Sequence, residues 1–290
     1  MSGEDTPSSY RLRAGERVLF VDPRGRRYLV TLVEGAMFHT HAGIVRHDDV
    51  IGSDEGATVV ATTGRRFVAL RPTLAEVVLK MPRGAQVIYP KDLGAILLAA
   101  DIGPGLRVLE AGVGSGALSM ALLRAGAEVI GYEMRADFAD RAKANVCAYL
   151  GDDVRYRVEV RDIYDGIDER DLDRVVLDLP EPWRALPHAR QALRGGGILL
   201  SYLPSVTQVA ELRAALDRQG FGMAETSEVL RRTWHVEARS VRPDHRMVAH
   251  TGFLTTARRL LSPPPADEPG SGEPPGGGSP TAWSPPGEGV

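Results

Sequence analysis

The feature that most constrains this chain is a run in which an apolar segment ends in an acid, turns through three alternating glycines and enters a helix-like stretch. The run reads Leu109-Glu110-Ala111-Gly112-Val113-Gly114-Ser115-Gly116-Ala117. Glycine adopts positive φ angles easily and lets the backbone approach a ligand without an intervening side chain. In open α/β sheets, ligands bind beyond the carboxyl ends of the strands, where such a turn lies. The run therefore predicts a ligand site at the edge of an α/β sheet.

Strand-like and helix-like runs alternate along the chain from about residue 84. The strand-like runs cover 107–110, 128–133, 154–162, 174–179, 197–203 and 250–257, and the helix-like runs cover 117–125, 136–150, 186–193 and 206–219. This alternation is typical of a mainly parallel sheet with helices on both faces. We therefore predict a doubly wound α/β domain over residues 73–261. The runs near 228–238 and 250–258 have no helix between them, and we expect them to pair antiparallel at one edge.

The segment before this domain shows short β-type runs separated by turns. Runs 17–21 and 27–32 flank the turn Asp22-Pro23-Arg24-Gly25, and runs 58–62 and 66–70 flank Thr63-Gly64. Turn residues between short alternating runs indicate hairpins. Residues 1–72 are therefore predicted to form a small β-rich domain. Thr73 follows Pro72 and is expected to cap a helix over 74–80.

The last segment, residues 262–290, contains nine prolines, seven glycines and four acids, with no lysine or arginine. It has too little apolar surface to offset its ordering entropy, so we predict a disordered tail. The whole chain carries a net charge of −3. Because the tail holds four of the acids, the remainder is close to neutral. Any contact with a nucleic acid therefore requires a local basic patch.

Composition and patterning exclude several classes of protein. The N-terminus lacks the apolar core of a signal peptide, and no apolar run approaches the length of a transmembrane helix. We therefore expect a soluble cytoplasmic protein. Cys147 is the single cysteine, so an internal disulfide is excluded. His39 and His41 have no third ligand nearby in the sequence, and we predict no metal site.

Three acids end successive strand-like runs, and together they indicate the cofactor. Glu110 suits a cationic ammonium, Glu133 suits the hydroxyls of a ribose, and Asp162 can accept from the amino group of an adenine. S-adenosylmethionine (SAM) carries all three groups. The glycine run also fits a dinucleotide fingerprint. A nicotinamide-dependent oxidoreductase is therefore an alternative, disfavoured because Glu110 would repel a pyrophosphate.

The fourth strand-like run ends in Asp178-Leu179-Pro180-Glu181-Pro182-Trp183, which resembles the catalytic loop of amino-methyltransferases. The two prolines stiffen the loop without requiring backbone donors. Adenine N1 is a weak nucleophile that becomes cationic when it is methylated. A carboxylate that accepts from the exocyclic amino group stabilises that charge and can take its proton. We predict Asp178 as the catalytic acid/base, with Pro180 and Trp183 as substrate contacts.

A second candidate segment, residues 81–92, precedes the first strand of the α/β domain. Gln86 can bond a base edge or the cofactor carboxylate, and Tyr89 offers its ring to a flipped base. Asp92 is expected to cap a helix over 93–100. His250, near the end of the α/β domain, is a further candidate for a substrate contact. The basic stretches 24–27, 65–66, 231–232 and 258–259 are candidate phosphate contacts.

Over residues 12–261 the chain resembles the bacterial tRNA (adenine-58-N1)-methyltransferases, close to the actinobacterial members. The resemblance rests on 83–92, 109–117, 178–183, Phe38-His39-Thr40-His41 and the Arg242-Pro243…His250-Thr251 ending. It implies a mainly parallel, seven-stranded, Rossmann-like SAM-methyltransferase domain. It also implies that a homotetramer methylates N1 of adenine 58 in the T-loop of tRNA.

The resemblance assigns Asp178 as the catalytic residue, Glu133 and Asp162 as cofactor ligands, and further cofactor contacts near Gln86 and the glycine turn. The full predicted cofactor set is Gln86, Glu110, Gly112, Gly114, Ser115, Gly116, Ala117, Leu118, Glu133, Arg161, Asp162 and Asp178. Two further alternatives stay open. One is a SAM methyltransferase acting on a protein or small molecule, such as the isoaspartyl repair enzymes, and the other is a non-catalytic RNA-binding subunit.

Overall fold

The computed structural model describes residues 10–84 and 86–262, and residues 17–70 form antiparallel β-structure. The strands are β1 (Arg17–Val21), β2 (Arg27–Thr31), β3 (Met37–Thr40), β4 (Gly43–Arg46), β5 (Thr58–Val60) and β6 (Arg66–Leu70). Four of them make one sheet in the order β2-β1-β6-β5, and β3 pairs with β4 in a separate hairpin. The predicted hairpins are confirmed. The β3–β4 hairpin was not predicted, because its strands are only four residues long.

Aromatic rings hold these two pieces of β-structure together. The Phe20 ring stacks on that of Phe38 with 5.2 Å between centroids, and both lie edge-on to Phe67. Because Phe38 lies on β3 while Phe20 and Phe67 lie on the four-stranded sheet, the stack packs the hairpin against that sheet. Aromatic pairs in such offset and edge-on arrangements stabilise a core beyond their buried area.

A capped helix joins this β-structure to the rest of the chain. Helix α1 (Leu74–Lys80) begins at Thr73, whose hydroxyl accepts from the Glu76 backbone while the Glu76 carboxylate accepts from the Thr73 backbone. The predicted cap is thus a full capping box. Glu76 also forms a 2.9 Å ion pair with Arg27 of β2. The helix start is therefore tied directly to the first hairpin.

The rest of the described chain is a seven-stranded sheet with helices on both faces. Its helices are α2 (Pro90–Ala99), α3 (Ala117–Arg124), α4 (Ala136–Leu150), α5 (Leu186–Ala192) and α6 (Val206–Arg218). Its strands are β7 (Arg107–Ala111), β8 (Glu128–Glu133), β9 (Tyr156–Val160), β10 (Leu172–Leu177), β11 (Leu193–Leu203), β12 (Phe221–Glu228) and β15 (Phe253–Arg259). A two-stranded hairpin, β13 (Trp234–Glu237) and β14 (Ser240–Pro243), lies between β12 and β15 in sequence.

The strand order is β12-β15-β11-β10-β7-β8-β9. Strands β9, β8, β7, β10 and β11 run parallel, and β15 runs antiparallel to both of its neighbours. The chain order reverses between β7 and β10, so this is the switch point at which ligands bind. The predicted doubly wound, mainly parallel seven-stranded fold is confirmed.

The prediction that runs 228–238 and 250–258 pair antiparallel at the sheet edge is wrong in its details. Strand β15 lies inside the sheet, between β11 and β12, and the edge strand is β12. Residues 228–238 instead contribute β13 of the separate hairpin. The reason is visible in β12, whose FGMAETSE sequence is buried mainly at Phe221 and therefore carries a weak strand signal. Strand β15 is flanked on both sides by strands, so its interior residues are largely buried.

Two apolar clusters cover the two faces of the sheet. One face packs side chains such as Ile96 of α2 and Leu122 of α3, and the other packs Leu186 of α5 and Leu212 of α6. Both faces are therefore dry, as the near-continuous apolar runs of the parallel strands require. Within the described ranges, no helix has the length and apolar character needed to cross a bilayer.

The capping box generates the first prediction. Replacing Thr73 by Ala removes the hydroxyl that accepts from the Glu76 backbone, so the free energy of unfolding should fall by about 1 kcal/mol. Thr73→Ser keeps the hydroxyl and serves as the control. Denaturant unfolding monitored by circular dichroism measures the difference. Equal stabilities of the Ala and Ser variants would contradict the assigned cap.

Candidate functional site

The glycine turn between β7 and α3 adopts the conformation that its sequence predicts. Gly112, Gly114 and Gly116 have φ angles of 84°, 56° and 80°. A Cβ on Gly112 would lie 2.1 Å from the backbone oxygen of Asp178, and one on Gly116 would lie 3.2 Å from Ala142. Gly112 therefore permits close contact with the loop after β10, and Gly116 permits close packing on α4. Gly114 faces more open space, with its nearest neighbour 4.0 Å away.

Glu110 is the most deeply buried acid of the predicted site, at 1% exposure. Its Oε2 accepts a 2.6 Å hydrogen bond from the hydroxyl of Ser119, while its Oε1 has no partner among the described residues. Burial above all, with the charges of Asp178 and Glu133, raises the pKa of Glu110 to about 8, although the hydrogen bond from Ser119 opposes the shift. An unpartnered buried carboxylate oxygen is costly. A cation placed beside Oε1 would relieve that cost, so Glu110 fits the ammonium of the expected cofactor.

The acids that end β8 and β9 hold the backbone of the same sheet edge. Glu133 accepts from the backbone N–H of Gly114 at 2.9 Å and from that of Arg135 at 3.0 Å. Asp162 accepts from the backbone of Tyr164 at 2.9 Å. A carboxylate has about four lone-pair sites, so both side chains retain capacity for a ligand. Arg161 is directed elsewhere, since its guanidinium pairs with Asp168.

An inner cleft lies between the glycine turn and the segment before α2. Most of the predicted cofactor set lines it: Gln86, Glu110, Gly112, Gly114, Ser115, Ala117, Leu118 and Asp178. Gly116, Glu133, Arg161 and Asp162 do not line the inner cleft. The hydroxyl of Ser115 is buried there without a partner among the described residues. Two buried polar groups without a partner therefore lie at the glycine turn, Glu110 before it and Ser115 within it.

An outer cleft of about 580 Å³ adjoins the inner one. Gln86, Val87, Ile88 and Asp178 line both clefts, so they form the shared wall. Burial raises the pKa of Asp178 to about 7. Asp178 is thus a carboxyl that faces both cavities and changes its charge near neutral pH. At this position, Asp178 can exchange a proton with a molecule in the outer cleft. A reaction between that molecule and one in the inner cleft would take place beside the same carboxyl.

The predicted substrate contacts divide into two groups. Tyr89 and His250 line the outer cleft. Pro180 and Trp183 do not line either cleft: Pro180 is exposed, and Trp183 packs partly buried against the apolar core. The two prolines and the tryptophan therefore shape the loop that carries Asp178.

His250 is held by two acceptors. Its Nδ1 lies 2.7 Å from Glu228 Oε1 and its Nε2 lies 2.9 Å from the carbonyl of Pro204. Both partners are acceptors, so both ring nitrogens donate when the imidazole is protonated. The Pro204 carbonyl and the Glu228 carboxylate accordingly raise the pKa of His250. His250 thus ties β12 and the loop after β11 to the rim of the outer cleft.

The expectation that Asp92 caps the second helix is wrong. Helix α2 begins two residues earlier, at Pro90, and Asp92 is completely buried within it. The Asp92 carboxylate accepts from Lys91 Nζ at 2.8 Å and from the Thr251 hydroxyl at 2.6 Å. Lys91 Nζ also donates to the Val229 carbonyl and to Thr251, both at 2.6 Å. The Lys-Asp pair therefore fastens the C-terminal wall of the outer cleft to α2.

Sequence reasoning missed two further residues of the outer cleft, Tyr202 and Thr251. Tyr202 lies at the end of β11 and donates to the Thr251 carbonyl at 2.7 Å, and burial raises its pKa to about 12. The sequence signal that could have identified Tyr202 was its position near the end of a central strand, because Asp178 lies at the same edge of the sheet. Within residues 10–84 and 86–262, no three potential metal ligands lie close together.

Two family models match the chain. The model described as "tRNA methyltransferase complex GCD14 subunit" matches residues 67–245, and the model described as "TrmI-like N-terminal" matches residues 11–59. The first match covers more than half of the chain. It spans the inner cleft and most of the outer one.

Curated relatives give the same result. The tRNA (adenine(58)-N(1))-methyltransferase TrmI of Thermus thermophilus is 39% identical over 246 residues, which are 83% of this chain and 96% of that protein. The tRNA (adenine(57)-N(1)/adenine(58)-N(1))-methyltransferase TrmI of Methanocaldococcus jannaschii is 34% identical, covering 86% of this chain and 96% of that protein.

Solved structures share the whole architecture. A protein from Thermotoga maritima, described as a SAM-dependent O-methyltransferase, superposes with a TM-score of 0.84 at 32% identity and covers 90% of this chain and 99% of its own. The tRNA (m1A58) methyltransferase TrmI of Aquifex aeolicus superposes with a TM-score of 0.76 at 30% identity, covering 87% of this chain and 100% of its own. With these matches and the strand-end carboxyls in place, the chain belongs to the tRNA (adenine-58-N1)-methyltransferase family.

Proposed function

We propose that this protein transfers a methyl group from SAM to N1 of adenine 58 in the T-loop of tRNA. The observation that carries the proposal is the position of Asp178, a half-buried carboxyl in the wall shared by the inner and outer clefts. A methyl transfer needs the donor and the acceptor in adjoining clefts, and it needs a group between them that can take a proton from the acceptor. Relatives whose names specify this reaction are 34–39% identical over most of the chain.

The cofactor's groups are assigned to the inner cleft and to the strand ends beside it. In the inner cleft, Glu110 would face the methionine ammonium and the glycine turn would pass along the methionine chain. Beyond the lining of that cleft, Glu133 would bind the ribose hydroxyls and Asp162 would accept from the adenine amino group. When bound, SAM supplies a methyl group on a positively charged sulfur. The unpartnered Oε1 of Glu110 supports this placement, because it is a buried acceptor beside the glycine turn. The guanidinium of Arg161 pairs with Asp168. Arg161 would therefore contribute to the cofactor site through its backbone, next to Asp162, and not through its side chain.

Asp178 performs the acid/base work. Its carboxylate accepts a hydrogen bond from the exocyclic amino group of the adenine that enters the outer cleft. This bond orients N1 and stabilises the positive charge that the base acquires, and Asp178 then takes the proton. Burial keeps the side chain poorly hydrated, so its interaction with a cationic base is strong. A pKa of about 7 allows the group to accept and release a proton near neutral pH.

The outer cleft supplies orientation. Removing a base from its stack costs a few kcal/mol, and such enzymes recover that cost by stacking and by bonds to the base edge. Tyr89 offers a ring for stacking, while Gln86 at the shared wall offers both a donor and an acceptor. Holding the base in this geometry accelerates the transfer by avoiding loss of entropy at the transition state.

A second candidate function follows from the Thermotoga maritima protein, which is described as an O-methyltransferase. An oxygen acceptor on a protein or small molecule has no exocyclic amino group, so Asp178 could not orient it through the hydrogen bond proposed for adenine. Incubation with labelled SAM and either tRNA or tRNA-free protein extract separates the two functions. We expect the label in tRNA, as 1-methyladenosine at position 58. Label in protein alone would favour the second function.

We further propose a homotetramer in the cytoplasm, with residues 1–72 and 73–261 as its two domains. Exposed apolar side chains of the β13–β14 hairpin support self-association, since Trp234, Val236 and Val241 are each more than half exposed. The predicted disordered tail, residues 263–290 in particular, lies outside the described residues.

Asp178→Asn should separate binding from transfer. The amide cannot take a proton, so kcat should fall by a factor of about 10²–10⁴. The Kd for SAM should stay within a few-fold of wild type. Asp140→Asn, at an exposed acid on α4, is the matched control. Single-turnover methylation and equilibrium dialysis measure the two quantities. A variant that keeps near wild-type turnover would refute the assigned role.

The rate should also depend on pH in one direction. Because the ionised form of Asp178 accepts the proton, kcat/KM for tRNA should rise with pH and level off above a midpoint at or below about 7. The positive charge of bound SAM favours the ionised form of Asp178. The pKa of Asp178, and with it the midpoint of the pH profile, should therefore lie at or below about 7 when SAM is bound. The Asp178→Asn variant should lack this limb. A rate that falls between pH 6 and about 7.5 would be incompatible with the mechanism.

Glu110 predicts that SAM binding releases a proton. With a pKa of about 8, Glu110 is mostly protonated at pH 7, and an adjacent ammonium favours its ionised form. Before SAM binds, the folded protein holds this proton between pH 4.5 and about 8 while the unfolded chain does not. Glu110 therefore lowers the free energy of unfolding as pH rises through that window.

Calorimetry of SAM binding in two buffers of different ionisation enthalpy measures the released proton. Glu110→Gln keeps the hydrogen bond from Ser119, but it should bind SAM without this release and more weakly. Proton release of equal size in the wild type and the Gln variant would show that another group is responsible.

A further inference from the structure

A third cleft, here called the side cleft, adjoins the outer cleft. It has a volume of about 260 Å³ and lies between α1, the start of α2 and the segment that contains the β13–β14 hairpin. Tyr89 and Val248 line both the side cleft and the outer cleft. Pockets for drug-sized ligands typically measure ~300–1,000 Å³, so the side cleft suits one small unit of a larger ligand.

Two arginines give the side cleft its charge. Arg231 and Arg246 line it, both are exposed, and neither forms an ion pair with any residue in the described ranges. The third cation at the cleft, Lys91, is neutralised by its buried pair with Asp92. No described carboxylate lines the side cleft. An anion that enters it therefore meets two guanidinium groups with no competing acid.

The side cleft is also a built feature of the fold. Arg231 and Val248 pair across an antiparallel bridge, and the backbone of Asp244 donates to the carbonyl of Thr233 at 2.9 Å. These bonds close the base of the segment 231–248 and bring Arg246 to the same side as Arg231. The opposite wall is apolar, with Ala75 and Leu79 of α1. An apolar wall, one aromatic ring and two guanidinium groups match the chemistry of a nucleotide.

We propose that the side cleft binds the nucleotide next to the methylated adenine, with Arg231 and Arg246 contacting its phosphate. This inference rests on the proposed function, because it requires RNA in the outer cleft. Successive nucleotides are joined through their backbone, so a base in the outer cleft places its neighbour beside Tyr89. Tyr89 then separates the two bases and presents a ring to each. Arginine suits this role, since its fork-shaped guanidinium matches phosphate geometry.

The experiment uses the full-length protein and a synthetic T-arm hairpin RNA that contains the target adenine. In the Arg231→Gln/Arg246→Gln variant, the Kd for the RNA should rise about tenfold for each lost contact, since charge-assisted bonds are the stronger ones. The dependence of log Kd on log salt should become shallower by about 1–2. SAM affinity and kcat at saturating RNA should be unchanged. Arg155→Gln, an exposed arginine at the start of β9 and the opposite edge of the sheet, is the matched control.

A neutral methylphosphonate at each linkage flanking the target adenine locates the contact. At one linkage, the neutral group should weaken binding to wild type and leave binding to the double variant unchanged, because both changes remove the same interaction. Competition with free inorganic phosphate distinguishes an isolated anion site from an RNA contact. Phosphate should compete only weakly with the labelled RNA. If free phosphate competes as well as unlabelled RNA does, the assignment of the side cleft to RNA is overturned.

The proposal is also wrong if the double variant binds RNA like the Arg155 control, or if every methylphosphonate effect persists in it. Failure of the proposed function gives a different result. In that case the wild-type protein forms no 1-methyladenosine in tRNA, whatever the arginine variants do. Circular dichroism confirms that the variants are folded, and both arginines are exposed, so Gln is tolerated at each position.

Discussion

The site depends on one close contact between two strand ends. The backbone N–H of Asp178 donates to the carbonyl of Ala111 at 2.9 Å, and Gly112 leaves only enough room for the Asp178 carbonyl beside it. This contact joins β7 to β10 at the switch point of the sheet. It places Glu110 and Asp178 at the same edge with the glycine turn between them. A side chain at position 112 would push the loop of Asp178 away from the inner cleft.

Burial of these two carboxyls sets the chemistry. Glu110 and Asp178 both have raised pKa values, at about 8 and about 7, because neither is well hydrated. Their environments give them different tasks. Glu110 lies in the inner cleft with one orphaned oxygen, which an ammonium group could neutralise, while Asp178 faces two cavities and can exchange a proton with a second molecule. Paired carboxyls whose surroundings differ are a common way to divide acid/base roles.

Much of this arrangement could be predicted from the sequence, and the failures have physical reasons. The glycine turn and the strand-end acids depend on local chain geometry, so Glu110 and Gly112 were predicted from the pattern. Asp178 was predicted from the same pattern together with the resemblance of its loop to that of amino-methyltransferases. Tyr202 and the buried Lys91-Asp92 pair depend on contacts with Thr251, which is 159 residues from Asp92. The antiparallel strand β15 was recognised but misplaced, because nothing local in a sequence specifies which neighbours a strand pairs with.

The central claim is that Asp178 contacts an adenine at the boundary between two clefts. The most direct measurement is a crystal structure with S-adenosylhomocysteine and a T-arm RNA. The account predicts the nucleoside in the inner cleft and the Asp178 carboxylate at hydrogen-bonding distance, about 3 Å, from the amino group of the flipped adenine. A cofactor bound outside the glycine turn, or an Asp178 side chain directed away from the base, would contradict it.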